Sequence, residues 1–290
     1  MARRAREYDD DCDFRKTRKL TTGGGTMQKD NNMRAGAIRR AFVTTAGLLI
    51  TAAALSWGGP ASAETTLQKI KRTGTITLGT SAAYAPFEYV VNGKTVGYDI
   101  DLADEIAKRM NVKIQWQEID FKGIVAALKS GRVDALFTGL TRTKQREEQI
   151  GFSDSYYDAG IGAAKPKGVA IAEPQDLNGK VVGVQIGTSG QVFVRENIPG
   201  VKEVKTYDTI LLALKDLENK RVDAVVNPLP SIRYNMKGLS DGLELTKVWR
   251  TAVIAVGIRK EDDDLRVEIN KHLADLKKEG FLDKLDKKWF

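Results

Sequence analysis

From Ile76 to Pro228 the chain repeats one pattern, a short apolar run followed by an amphipathic stretch. ITLGT (76–80) reads as a strand, and in IDLADEIAKRM the apolar residues Ile100, Ala103, Ile106, Ala107 and Met110 recur at the spacing of one helix face. KIQWQEI (113–119) then predicts a strand, GIVAALKSG (123–131) a helix ending on Gly131, and DALFTG (134–139) another strand. The second half predicts the same series: strand 180–186, helix 189–197, strand 203–207, helix 209–220 with Ile210, Ala213, Leu214 and Leu217 on its apolar face, and strand 223–228. Such alternation implies parallel strands with helices on their faces.

The tetrapeptide RVDA stands in both halves, at Arg132–Ala135 and Arg221–Ala224. Each time it marks the junction where an amphipathic helix ends and a buried strand begins, so the chain builds a similar unit twice. FSDSYYDAGIG (152–162) crosses from the first unit to the second, and VWRTAVIAVGIRK (248–260) returns in extended form to a helical C-terminal stretch, 262–290. The expected fold class is α/β with two lobes, each a β-sheet flanked by helices, joined by a two-strand hinge. Lobe 1 is expected at 64–157 and 253–290, lobe 2 at 158–252. A cleft between such lobes is where ligands of open α/β sheets bind.

Residues 1–63 read as a leader. MRAGAIRRAFVTTAGLLITAAALSWGGPASA (33–63) has a basic start, an uncharged run from Ala41 to Trp57 and a small-residue end, the pattern of a secretory signal cleaved after Ala63. Arg39 and Arg40 partly match a twin-arginine signal, which leaves the Sec and twin-arginine routes both open. The preceding polar segment has no hydrophobic period, and Met27 or Met33 is the expected start. A soluble protein exported to the periplasm follows.

The leader changes the charge balance. The whole chain has a formal net charge of +8, but 11 of its 46 Lys and Arg and 6 of its 38 acids lie in residues 1–63, so residues 64–290 carry only +3. Their basic residues are mixed with acids, and no nucleic-acid partner is expected. Cys12, the single cysteine, falls in the leader, which excludes a disulfide, a thiol nucleophile and a cysteine metal site from the mature chain. The single histidine, His272, shares the stripe of Leu265, Ile269, Leu273 and Leu276 and reads as a helix residue at the edge of the core. No catalytic residue, metal site or cofactor is therefore assigned. GVQIGTSG has no lysine in the P-loop position.

YAPFEYVVNGKTVGYDIDLADEIAKRM, DALFTGLTRTKQREEQIGFSDSYY, DLNGKVVGVQIGTS and the closing KKWF, in this order and spacing, resemble the periplasmic solute-binding proteins that serve ABC importers of polar amino acids. The resemblance covers nearly all of the mature chain. It implies the periplasmic binding protein (Venus-flytrap) fold and a monomer that captures a small amino acid or related carboxylate and delivers it to the permease subunits of the inner membrane. It places Arg146 at the ligand's α-carboxylate, a role that a guanidinium fills with two parallel hydrogen bonds. Gly139 and Thr141 stand where the family offers a backbone carbonyl and a hydroxyl or amide. Thr188 stands before a helix, where its N–H and hydroxyl suit the same carboxylate and where it also suits an N-cap. Tyr84 and Phe121 match the aromatics that enclose the ligand side chain, while Phe87 is assigned to the core. Gln185 and Asn227 complete the expected site.

Two places depart from the family pattern. Where it usually carries acids for the ligand ammonium, this chain has Ser81 and Pro228. An ammonium enclosed without a counter-charge costs several kcal/mol, so either another acid takes over, with Asp120, Asp154 and Asp158 nearest in sequence, or the ligand has no α-ammonium. Two further readings compete with the binding protein. An exported enzyme resembling the cyclohexadienyl dehydratases would need a carboxylic acid in the cleft, and a sensory domain would need a separate membrane partner.

Overall fold

The structure, a computed structural model, describes residues 63–290, and the expected leader at 1–62 lies outside them. Helix α1 (Thr66–Thr73) opens on a capping box, in which the Thr65 hydroxyl accepts from Gln68 N–H and the Gln68 side chain accepts from Thr65 N–H. It leads into β1 (Thr75–Thr80) and a small antiparallel sheet of β2 (Ala83–Tyr84), β3 (Glu88–Val91) and β4 (Lys94–Val96). The alternation pattern gave no sign of this sheet, because strands of two to four residues are too short to show a period. Then follow α2 (Tyr98–Met110), β5 (Lys113–Glu118), α3 (Ile124–Lys129), β6 (Ala135–Leu136), α4 (Lys144–Glu147) and the long β7 (Gly151–Pro166).

The second unit runs through β8 (Val181–Gln185), α5 (Ser189–Asn197), β9 (Glu203–Tyr207), α6 (Ile210–Glu218), β10 (Ala224–Pro228), α7 (Leu229–Met236) and β11 (Leu243–Leu245). Strand β12 (Arg250–Ile258) returns, and α8 (Asp263–Lys278) and α9 (Phe281–Trp289) close the chain. Every strand and helix expected from periodicity is present. The strand expected at 134–139 pairs only over Ala135–Leu136, because the chain turns at Gly139, whose φ is 54°.

The main sheet has the order β5-β1-β6-β12-β7-β10-β8-β9, with β11 also on β7. Strands β5, β1 and β6 are parallel, as are β10, β8 and β9, while β7 and β12 run antiparallel to each other between the two sets. Core membership changes along these two strands. Ala159, Ile254 and Val256 pack with Leu78, Phe87 and Leu102, whereas Ile161 and Ala252 pack with Val182, Val184 and Val226. The β7–β12 register shifts between Ile254 and Gly257, irregularities of the kind that let a strand bend. The result is a two-lobed α/β fold.

The RVDA repeat does the same work in each lobe. Val133 and Val222 are buried beneath the preceding helix, and the following aspartate bonds the neighbouring strand twice. Asp134 N–H donates to Thr77 O at 2.7 Å while its carboxylate accepts from Thr77 N–H at 2.9 Å. In the second lobe Asp223 N–H donates to Val181 O at 2.8 Å and its carboxylate accepts from Val181 N–H at 2.7 Å. A short side chain that can bridge one residue of a parallel neighbour pins the register where the sheet begins. Among the described residues no helix is long and apolar enough to cross a membrane.

Candidate functional site

At the C-terminal end of β1 the backbone turns through Ser81 and Ala82, and the chain after β6 lies beside it. The Ser81 hydroxyl donates to Glu88 Oε1 at 2.9 Å, and the Thr138 hydroxyl donates to the same oxygen at 2.6 Å. Glu88 is fully buried, and its second oxygen has no partner. Behind it Asp99, also fully buried, accepts from Gly139 N–H at 2.5 Å and from the Tyr156 hydroxyl at 2.9 Å. Burial pushes both carboxyls up. The Glu88 pKa rises well above the usual carboxylate range, with the Asp99 charge as a further cause, and Asp99 is raised to about 7.

Above these acids Tyr84 lies against Gly139. A Cβ on Gly139 would stand 2.6 Å from the Tyr84 ring, and with a φ of 54° as well the position needs glycine. The Tyr84 ring stacks at 6.3 Å on Phe121, and the Arg146 guanidinium lies 5.4 Å from the Phe121 centroid. Burial raises the pKa of the Tyr84 hydroxyl, the Glu88 charge adds to the rise, and Arg146 opposes it. Thus one lobe gathers an aromatic wall, a guanidinium and two buried acids.

Arg146 begins on the short α4, whose first turn is capped by the Thr143 hydroxyl accepting from Arg146 N–H. Its guanidinium donates to Thr141 O at 2.6 Å and, across the cleft, to Gly187 O at 2.9 Å. The residue as a whole is half-buried, but its charged end is desolvated enough that its pKa falls to about 10. The other lobe meets it with neutral groups. Gln185 ends β8 and Asn227 is the penultimate residue of the adjacent β10, each one step beyond the Val184–Val226 pair. The Gln185 amide donates to Asp208 O at 3.2 Å, and its Oε1 is buried without a partner, as are both amide atoms of Asn227. Ser189, at the start of α5, donates to the Thr141 hydroxyl at 3.2 Å.

The structure thus brings Ser81, Tyr84, Phe121, Gly139, Thr141 and Arg146 together on one lobe and Gln185, Thr188 and Asn227 on the facing strand ends and helix start. Of these nine residues Ser81, Phe121 and Gln185 line a pocket of about 100 Å³, together with Ala83, Asp120 and Lys122 on one side and Ile186, Asp208 and Thr209 on the other. Thr188 is the N-cap of α5: its hydroxyl accepts from Gln191 N–H and donates to Gln185 O at 2.7 Å. The donors left at that helix start are the N–H groups of Ser189 and Gly190, which no carbonyl of the helix can reach. Phe87 is fully buried, and His272 is buried on α8. A second cavity of about 270 Å³, lined by Thr141, Arg142, Lys144, Ser189, Glu196 and Arg250 among others, shares only Thr141 with the expected site.

Of the acids nearest in sequence to the two departures, Asp154 and Asp158 are exposed on β7, and Asp120 is exposed on the pocket wall. Glu88, Asp99, Thr138 and Gly187 were not among the residues singled out from sequence. Glu88 sits in a four-residue strand and Asp99 in the first turn of a helix, both places where an acid ordinarily faces water. The hydroxyls of Ser81 and Thr138 hold Glu88 inward, and Gly139 N–H with the Tyr156 hydroxyl holds Asp99. Among the described residues no group of three or more His, Cys, Asp or Glu is placed to hold a metal ion.

A family model described as bacterial extracellular solute-binding proteins, family 3, matches residues 76–290. The L-cystine-binding protein TcyJ of Escherichia coli (strain K12) is 32% identical over 228 residues, covering 77% of this chain and 85% of that protein. Among solved structures, an ancestral arginine-binding protein bound to arginine superposes with a TM-score of 0.71 at 38% identity, over 75% of this chain and 98% of that one. The ancestral amino acid-binding protein AncCDT-1, a precursor of cyclohexadienyl dehydratase, superposes with a TM-score of 0.72 at 33% identity, over 78% and 99%. With a model matched over most of its length and a fold shared across nearly the whole of these structures, the chain belongs to the bacterial extracellular solute-binding proteins of family 3.

Proposed function

We propose that this protein captures an amino acid in the cleft between its lobes and delivers it to the permease of an ABC importer. The lobes are taken as 64–157 with 253–290, and 158–252. The observation that carries the reading is the Arg146 guanidinium, desolvated and bonded to carbonyls on both sides of the cleft, Thr141 O and Gly187 O. It is the one arrangement at this site that offers a carboxylate a two-pronged donor, and the N–H groups at the start of α5 face the same chemistry from the other lobe. In this reading Tyr84 and Phe121 enclose the ligand side chain, the Gly139 carbonyl accepts from the ligand, and Gln185 and Asn227 supply amides from lobe 2. Relatives that bind cystine and arginine support an amino acid as the ligand.

Capture is coupled to closure because only the closed form joins the contacts of both lobes. About 5.5 kcal/mol of differential contact moves such an equilibrium from 1:99 to 99:1. Export by the 33–63 segment, cleavage after Ala63, a monomeric state and recognition of the closed form by permease subunits complete the proposal. The test is thermal unfolding of purified 64–290 against the proteinogenic amino acids, with calorimetry on each hit. A ligand at 100 times its dissociation constant adds about 2.7 kcal/mol. Stabilisation by one or a few α-amino acids is the expected result, and the absence of stabilisation by any of them overturns the proposal.

One observation favours a second reading, an exported dehydratase on the same scaffold. Glu88 is a buried carboxyl with a raised pKa beside the cleft, the kind of group that can donate a proton. Incubation with a cyclohexadienyl carboxylate, followed by its ultraviolet spectrum, separates the two. An unchanged spectrum is expected of a binding protein.

A further inference from the structure

We propose that Glu88, acting through the hydroxyl of Ser81, is the counter-charge that receives the ammonium of an α-amino acid ligand. The proposal rests on the amino-acid reading of the cleft and adds to it the acceptor that positions 81 and 228 lack. Ser81 lines the pocket between the lobes, and its hydroxyl donates to Glu88 Oε1 at 2.9 Å, so the carboxylate stands one hydrogen bond behind the pocket wall. Thr138 fixes that oxygen from the other side at 2.6 Å. Glu88 Oε2 is fully buried and has no protein partner, so the group is held in place with acceptor capacity to spare. A Ser81 hydroxyl that donates inward to a carboxylate presents its lone pairs outward, which makes it a better acceptor for an ammonium than an isolated serine. On the same lobe Arg146 supplies the opposite sign, its guanidinium 5.4 Å from the centroid of the Phe121 ring that also lines the Ser81 pocket. An α-amino acid carries the two charges that complement this pair.

The groups around Glu88 set how this acceptor responds to pH. Asp99 on α2 is its neighbouring acid, Tyr84 on β2 and the Tyr156 hydroxyl on β7 are neutral, and Arg146 on α4 is a cation that bears on Tyr84. With two acids buried together, both carboxyls are pushed up, Asp99 to about 7, so the pair holds a proton above the usual carboxylate range. An arriving ammonium favours the fully ionised pair and expels that proton. Affinity for α-amino acids therefore rises with pH as the pair ionises, by up to about tenfold per unit for a single linked proton. Affinity for a carboxylate without the amine has no such slope.

The experiment is calorimetry with arginine and histidine, each beside its des-amino analogue, 5-guanidinopentanoate and imidazolepropionate, in buffers of different ionisation enthalpy. The wild type is expected to prefer the α-amino acid it binds over the matching analogue and to release close to one proton at pH 6. Glu88→Gln, which keeps an acceptor for Ser81 and Thr138, is expected to cut that preference at least about thirtyfold and to abolish the proton release, leaving the analogue's affinity within threefold. Ser81→Asp in the Glu88→Gln background puts a carboxylate directly on the pocket wall and is expected to restore the preference. Should Glu88→Gln fail to fold, Ser81→Ala is read instead, with at least a tenfold loss expected for the amino acid alone. Undiminished preference in Glu88→Gln overturns the proposal while leaving the amino-acid reading intact. Loss of the preference in Asp120→Asn instead assigns the ammonium to the exposed pocket acid and overturns it too. Failure of the wild type to bind any α-amino acid removes the reading on which the proposal stands.

Discussion

Asp134 and Asp223 close the same pair of hydrogen bonds onto a neighbouring strand, yet the first is 2% exposed and the second lies at the surface. Asp134 is held there by Lys69 at 3.2 Å, with Arg259 nearby at 3.9 Å. The same contrast continues to the other end of the strands. In lobe 1 they end among charges, Glu88, Asp99 and Arg146, together with the hydroxyls of Ser81 and Thr138. In lobe 2 they end on amides, Gln185 and Asn227, a proline, and the start of α5. A unit built twice has kept its register device in both copies and put its ionic chemistry in one. On the proposed reading lobe 1 holds both charges of a small ligand before closure, and lobe 2 adds dipoles that cost little to desolvate while the cleft is open. This asymmetry suits a receptor that must bind first and close second.

The contrast is most easily broken at Arg146. Replacing it with alanine leaves the ligand carboxylate facing a desolvated cleft without its partner, a loss of about 4 kcal/mol, or about a thousandfold in affinity. Arg146→Lys recovers little of it, because an ammonium cannot match the planar fork that reaches Thr141 O and Gly187 O. The lobe 2 counterpart, Gln185→Ala, removes a neutral amide and costs about 1–2 kcal/mol. Calorimetry on the three variants measures the ratio directly. Equal losses at Arg146 and Gln185 would mean that the charge is not concentrated in lobe 1.

The scaffold comparison has its own test. Asp134→Ala removes a buried charged acceptor from a part-buried Thr77 N–H and strips Lys69 and Arg259 of a partner, for an expected loss of about 2–3 kcal/mol in urea unfolding. Asp223→Ala exposes Val181 N–H to water, which can replace the bond, and about 1 kcal/mol is expected. If the two cost the same, burial is not what separates the copies.

The sequence reading reached the parts of this comparison that are periodic or local. Two series of apolar runs and amphipathic helices, and RVDA at the same junction of each, were enough to predict two α/β lobes and a double crossing. Arg146, Tyr84 and Gly139 became visible only through the resemblance, since an arginine in TRTKQR has no pattern of its own. The pairing of Glu88 with Ser81 was not legible. Ser81 looked like a lost acid because the compensating carboxylate lies seven residues away on a short hairpin, and its inward turn is set by Thr138, which is 57 residues from Ser81. Information of that kind is held by the packing of β1 against β6. The acids nearest to the departures in sequence turned out to be exposed, which shows how poorly sequence distance stands in for distance across a sheet.

The smallest expected effect lies at the rim. Tyr89 on β3 and Tyr234 on α7 meet hydroxyl to hydroxyl at 2.8 Å with their rings 5.3 Å apart, and Trp289 packs edge-on to Tyr89 at 6.1 Å. The bond joins lobe 1 to lobe 2 and exists only when they approach, so it favours closure whatever the ligand. Both tyrosines are half-buried, so water can take back part of what is lost. Tyr89→Phe keeps the ring contacts and removes one neutral hydrogen bond, worth about 0.5–1 kcal/mol at most, which is a two- to fivefold rise in dissociation constant carried by faster release. Tyr234→Phe should do the same, and the double variant should add almost nothing, because either change alone removes the bond. Additive losses would show that each ring contributes by packing rather than by the latch, and would return the whole of the closing preference to the ions of lobe 1.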